Sequence, residues 1–89
     1  MNEALRTKIA NQFRNTPLGF VRIRRNLKLG DMTDSEVENR LKSIILSTEL
    51  ECVESKGKNF YFRNSKYHAT LTINRHSLTV ITAKPLESP

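Results

Sequence analysis

An α+β fold, with N-terminal helices followed by a three- to four-stranded antiparallel sheet, is what this 89-residue chain predicts. Three observations carry the expectation. Up to Thr48 the apolar residues recur every three or four positions, the period that gathers side chains on one stripe of a helix. After Thr48 the period falls to two, the repeat of a strand with one buried face. Residues that stop helices or turn strands, Thr16-Pro17, Gly30 and Gly57, fall between the periodic segments.

Leu5, Ile9 and Phe13 stand four apart and predict a first helix within residues 1–15. Thr16 and Pro17 supply the N-cap and first-turn proline of a second, along which Phe20, Ile23 and Leu27 recur and which Gly30 is expected to close. Thr33-x-x-Glu36 has the form of a capping box, and Val37, Leu41, Ile44 and Ile45 follow at helical spacing. Leu50-Glu51-Cys52-Val53 then leads, as a strand, into a hairpin at residues 55–59 centred on Gly57, and Phe60-Tyr61-Phe62 returns from it. A turn at residues 64–66 precedes a strand from His68 to Asn74. Arg75-His76 is read as a tight reversal before the β-branched run 77–83. Pro85 is expected to end the ordered chain, giving a single domain over residues 1–85 and a tail at 86–89.

A chain of this length excludes an enzyme with separate cofactor and substrate lobes. Fifteen Lys and Arg against nine Asp and Glu give a net charge of +6, which favours polyanionic partners, nucleic acid first among them. Residues 1–33 carry +5, residues 34–51 carry −3 and residues 52–89 carry +4, so an acidic helix separates two basic regions. Its acids, Asp34, Glu36 and Glu38, complement the helix dipole and are assigned no function. The single cysteine, Cys52, excludes an intramolecular disulfide and is expected to be a buried, inert thiol within a strand. Without a signal peptide or a bilayer-length apolar run, the expectation is a soluble, cytoplasmic protein with no membrane partner. No phosphate-binding glycine loop, GxSxG or metal-ligand spacing occurs, so neither cofactor nor metal is expected.

The densest basic cluster runs from Arg22 to Lys28. On a helix Arg22 and Arg25 share one flank and Arg24 and Lys28 the other, two rims along which phosphates could lie; a solvated helix face is the bland alternative. In the sheet, if Phe60, Phe62, Leu71, Ile73, Leu78 and Val80 face the helices, parity sends Asn59, Tyr61, Arg63, His68, Thr70, Thr72, Asn74, Ser77 and Thr79 to the other side. That face is polar and holds one aromatic, the minimum for stacking a base beside a phosphate contact, although ordinary sheets also leave one face to water. Val80-Ile81 breaks the alternation, so the last strand is either covered on both faces or bulged. The simple parity puts Thr82 and Lys84 on the helix-facing side, with the Lys84 head reaching past the core.

His68 and His76 are the side chains that titrate near neutral pH. Cleavage of RNA by its own 2′-hydroxyl needs a proton acceptor, a proton donor and a cation near the phosphate, which His, Tyr, Lys and Arg supply without metal.

Gly57-Lys58-Asn59-Phe60-Tyr61, followed by Thr72-Ile73-Asn74-Arg75-His76-Ser77-Leu78-Thr79-Val80-Ile81-Thr82-Ala83-Lys84, resembles a family of small bacterial proteins of uncharacterised function. Its members show a G-K-N-aromatic-Tyr turn, a T-[IV]-N-x-x-S-aromatic-T-[IV]-I-T-A-H ending and an upstream R-x-x-x-N-L element, matched here by the segment ending Arg25-Asn26-Leu27. This chain departs at Leu78, where an aromatic is usual, and at Lys84, where His is usual; the resemblance implies a phosphate ligand at Lys84 in place of an acid or base. The last strand is also distantly similar to that of ribonuclease toxins of the barnase, EndoU, colicin and RelE group, which implies RNA by analogy. A winged helix is a third likeness, with Val37 to Ser47 as recognition helix and Lys56 to Lys58 as wing tip, and the acidic helix start ranks it lower.

The expected function is nucleic-acid binding, RNA ahead of DNA, by Arg22, Arg24, Arg25, Lys28, Lys56, Lys58, Tyr61 and Arg63. Its enzymatic extension is a metal-independent, toxin-like ribonuclease, with His68 or His76 as base or acid, Lys84 stabilising the phosphorane, and Asn59 and Thr82 orienting. The rival is a non-enzymatic inhibitor or adaptor that docks on an acidic protein surface, and a cognate inhibitor is the alternative partner.

Overall fold

Asn2, Thr16 and Thr33 each start a helix for one reason: a side-chain oxygen accepts from an amide that the first turn leaves unpaired. The acceptances are from Leu5 at 2.7 Å, Gly19 at 3.0 Å and Glu36 at 3.2 Å. In the computed structural model, which describes residues 1–86, the helices are α1 (Glu3–Gln12), α2 (Pro17–Leu27) and α3 (Asp34–Ser47). At α3 the box is complete, because the Thr33 amide donates to Glu36 Oε1 at 3.0 Å. That bond, and then the Thr33 hydroxyl, hold the Glu36 carboxyl below its ordinary pKa. A depressed folded-state pKa adds stability that is present above the unfolded carboxyl's pKa and lost as pH falls through the folded one. Urea midpoints followed from neutral pH into acid should therefore fall less steeply in Glu36→Gln than in the native chain. Equal slopes would remove Glu36 from the acid response.

Lys28, rather than Gly30, takes the left-handed position that closes α2, with φ 57°, and the Leu29 amide donates back to the Arg24 carbonyl at 2.8 Å. Residues Leu50–Cys52 form a 3-10 turn instead of the start of a strand, since the Cys52 amide is taken by the Glu49 carbonyl at 2.9 Å. Cys52 is accordingly half-buried at a turn, not sealed within a strand.

Four strands follow, β1 (Val53–Lys56), β2 (Asn59–Asn64), β3 (Ala69–Asn74) and β4 (Val80–Pro85), in the antiparallel order β1-β2-β3-β4. The α+β class and the helices-then-sheet order are those expected. Lys56 pairs with Asn59, so Gly57 and Lys58 alone turn the first hairpin, and Gly57 at φ 60° supplies the left-handed residue a two-residue loop requires. All three helices lie on one side of the sheet: α2 against β4, α3 against β2 and β3, and α1 against α3. Between the layers Ile9, Ile23, Val37, Leu41, Ile44 and Ile45 meet Phe62, Leu71, Ile73 and Ala83.

Two features of the β3–β4 connection differ from expectation. The reversal is longer than Arg75-His76, because Asn74 Oδ1 accepts from both the His76 amide (2.9 Å) and the Ser77 amide (3.0 Å), and Leu78 adopts φ 57°. Ordered pairing thus resumes at Val80. The register then slips: Ile73 pairs with Val80 but Thr72 with Thr82, which leaves Ile81 without a partner in a β-bulge. The slip sends Val80 and Ala83 to the helices and turns Thr82 and Lys84 to the opposite side, correcting the helix-facing position that simple alternation predicted.

Leu86 donates its amide to the His68 carbonyl at 2.9 Å, so the described chain stays attached one residue past Pro85. The remainder of the expected tail, residues 87–89, lies outside the described residues.

Candidate functional site

The side of the sheet away from the helices is built of three cross-strand rows. Lys56, Asn59 and Asn74 form one; Glu54, Tyr61, Thr72 and Thr82 the next; Arg63, Thr70 and Lys84 the third. No other element covers this face among the described residues. A concavity of about 660 Å³ runs along its β3–β4 half, between Asn59, Tyr61 and Arg63 on one side and Thr82 and Lys84 on the other. A second, of about 550 Å³, lies on the β1–β2 half among Lys56, Lys58, Asn59, Tyr61 and Arg63. Tyr61 therefore stands on the ridge between two troughs, each with its own cations. Arg63 Nη2 reaches Glu54 Oε2 at 3.2 Å, an exposed pair that salt and solvent weaken.

Seven of the residues singled out from sequence meet on this face: Lys56, Lys58, Asn59, Tyr61, Arg63, Thr82 and Lys84. Arg22, Arg25 and Lys28 do not join them. They are exposed on α2 or at its end, in the helical layer behind the sheet. Arg24 is occupied: its Nε donates to the Met32 carbonyl at 2.9 Å, its Nη2 pairs with Asp34, and its guanidinium lies 5.8 Å from the centre of the Phe20 ring. It clamps the α2–α3 connection and is not available to a ligand.

The two histidines sit at opposite ends of β3. His68 is not on the open face to which alternation assigned it: it stands in the β2–β3 turn at φ 52°, ahead of β3, and lines a cleft beside α2 and α3 with Lys28, Arg40 and Tyr67. His76 belongs to the β3–β4 turn, and the six residues of β3 between them span roughly 20 Å at about 3.3 Å per residue. Lys84 is paired with Thr70, near the His68 end but on the other side of the sheet. The structure thus brings Asn59, Thr82 and Lys84 together without either histidine, and an acid–base pair sharing one phosphate does not form.

Sequence reasoning missed three positioning contacts. Asn26 Nδ2 donates to the Ala83 carbonyl at 3.2 Å, which fastens α2 to the strand that carries Thr82 and Lys84. Arg14 enters the sheet edge beside Thr79, its amide donating to Leu78 O at 3.0 Å and its carbonyl accepting from Val80 N at 2.9 Å. Asn64, buried at 1% exposure, ties the end of α3 to the β2–β3 turn. Asn26 had a signal in the R-x-x-x-N-L element and Asn64 one in the turn expected at residues 64–66, but the partners of Arg14 and the α3 partners of Asn64 are distant in sequence and left no signal.

No helix among the described residues is long and apolar enough to cross a membrane. No curated protein and no solved structure matches the chain. A family model does match, over residues 7–84, and the span takes in α2, α3 and the strands that build the open face. The chain therefore belongs to the family described as protein of unknown function (DUF3781).

Proposed function

We propose that this protein binds single-stranded nucleic acid, RNA ahead of DNA, across the open face of its sheet in the cytoplasm. The observation that carries the reading is the bulge at Ile81, which puts Lys84 on the same face as Arg63, across Thr70 of the intervening strand, so that cations border Tyr61 from both troughs. An aromatic ring offers a base a stacking surface while flanking Lys and Arg meet the phosphates, the combination by which sheets hold single strands. The Thr70, Thr72 and Thr82 hydroxyls and the Asn59 amide add donors and acceptors for a 2′-hydroxyl, which favours RNA. Insertion of α3 into DNA suits the structure less, since its first turns present Asp34, Glu36 and Glu38 to solvent. Catalysis is not part of the proposal, because the proton-transfer pair it needs is split between the ends of β3.

Fluorescence anisotropy with a labelled single-stranded RNA tests the reading. If Lys56, Lys58, Arg63 and Lys84 each neutralise one phosphate, log affinity should fall against log salt with a slope near −3, at about 0.7 per contact on a single strand. An affinity indifferent to salt would end the proposal. Tighter binding to polyglutamate than to RNA would transfer the face to an acidic protein partner.

A further inference from the structure

At the turn end of the molecule, on the helix side of the sheet, lies a cleft of about 480 Å³ that the open-face reading does not use. Lys8 from α1, Arg14 from the α1–α2 connection, and Arg75 and His76 from the β3–β4 turn line it, and no carboxylate does. Phe60 and Leu78 form an apolar wall. The cations come from three separate segments, and the backbone holds them in place. Arg14 is bonded into the sheet edge on both its amide and its carbonyl. The Arg75 amide donates to the Lys58 carbonyl at 2.9 Å, and the His76 amide to Asn74 Oδ1 at 2.9 Å. Among the described residues neither Lys8, Arg14 nor Arg75 makes an ion pair, although Arg75 Nη1 donates to Ser55 Oγ on β1 at 3.2 Å, outside the cleft, and leaves its other guanidinium donors for a ligand. Like charges gathered without counter-charge repel one another, and a bound anion relieves that repulsion.

We infer that this cleft binds a terminal phosphomonoester. A backbone phosphodiester brings a single charge, whereas a terminal phosphate carries roughly −1.5 to −2 near neutral pH and three acceptor oxygens, which match a cleft lined by cations from several segments. The apolar wall beside the cations suits the sugar or base attached to that phosphate. The phosphate has two sources, a free nucleotide or the 5′ end of an RNA strand.

Amide chemical shifts of Arg75, His76 and Ser77 in the full chain distinguish them. AMP should move these signals, and adenosine, which lacks the phosphate, should not; that result assigns the cleft to free nucleotides. If AMP is silent, a 5′-phosphorylated RNA tetramer should bind about tenfold tighter than its 5′-hydroxyl counterpart, a step of one charge-assisted contact, and that result assigns it to strand ends. Either preference should vanish in the Arg14→Ala/Arg75→Ala variant, whose exposed side chains leave the core intact, and should survive in Tyr61→Ala. Since Tyr61→Ala affects only the open face, failure of that reading and failure of this one are read separately. The inference is overturned if neither AMP nor the 5′-phosphate has an effect, or if the effect persists in the double arginine variant.

Discussion

Asn64→Ala is expected to lower the stability of the protein by about 3 kcal/mol, the scale for breaking a buried polar network and stranding its partners. Asn64 Nδ2 lies 3.0 Å from the Ile44 carbonyl, 2.9 Å from Ser47 Oγ and 3.0 Å from Thr48 Oγ1, all at the last turn of α3. Its Oδ1 accepts from the Tyr67 amide at 2.7 Å, which shapes the β2–β3 turn. One side chain therefore satisfies a helix terminus on one side and a strand reversal on the other. Removing it leaves the Tyr67 amide without an acceptor and opens a void at a site that is 1% exposed. Urea denaturation measures the loss directly, and a change under about 1 kcal/mol would show that water replaces these bonds at little cost. Asn64→Asp keeps the acceptor but turns the donor group into an oxygen facing three others, so it too should destabilise.

The second large effect concerns binding. Tyr61→Ala should weaken RNA affinity by about 5- to 150-fold, because stacking one base on an aromatic contributes roughly 1–3 kcal/mol, and it should leave the salt slope unchanged. Arg63→Ala/Lys84→Ala should weaken affinity as well, but by a different signature: the slope should become shallower by about 1.4, two phosphate contacts at about 0.7 each. Splitting the stacking term from the ionic term in this way locates the interface. Arg22→Ala/Arg25→Ala serves as the contrast, since both side chains lie in the helical layer behind the sheet. Should that pair flatten the slope more than Arg63→Ala/Lys84→Ala does, the phosphates run along α2 and the open face is a solvated surface.

What could be read from the sequence alone is whatever short-range chemistry dictates. The starts of α2 and α3 are legible because each cap bonds an amide three residues away, with the capping box at Thr33 and Glu36 complete in the sequence, whereas the Asn2 cap of α1 was not read. The hairpin at Gly57 is legible because a two-residue loop admits few residues, and the open-face positions of Asn59, Tyr61 and Arg63 follow from strict alternation along β2. Lys28 as the end of α2 was not visible: a lysine in left-handed geometry has no sequence signal, while Gly30 nearby does. The side of the sheet on which Lys84 emerges was decided only by tertiary structure. Alternation past Val80-Ile81 has two solutions, and one slipped residue reverses every later side chain. The bulge is selected by contacts from far away in sequence: Arg14 pairing beside Thr79, Asn26 holding the Ala83 carbonyl, and the helices requiring Ala83, small and fully buried, beneath α2. The separation of His68 from His76 has the same origin. Eight positions apart in sequence says nothing of distance until the intervening residues are known to be an extended strand, which places the two histidines in the turns at its opposite ends.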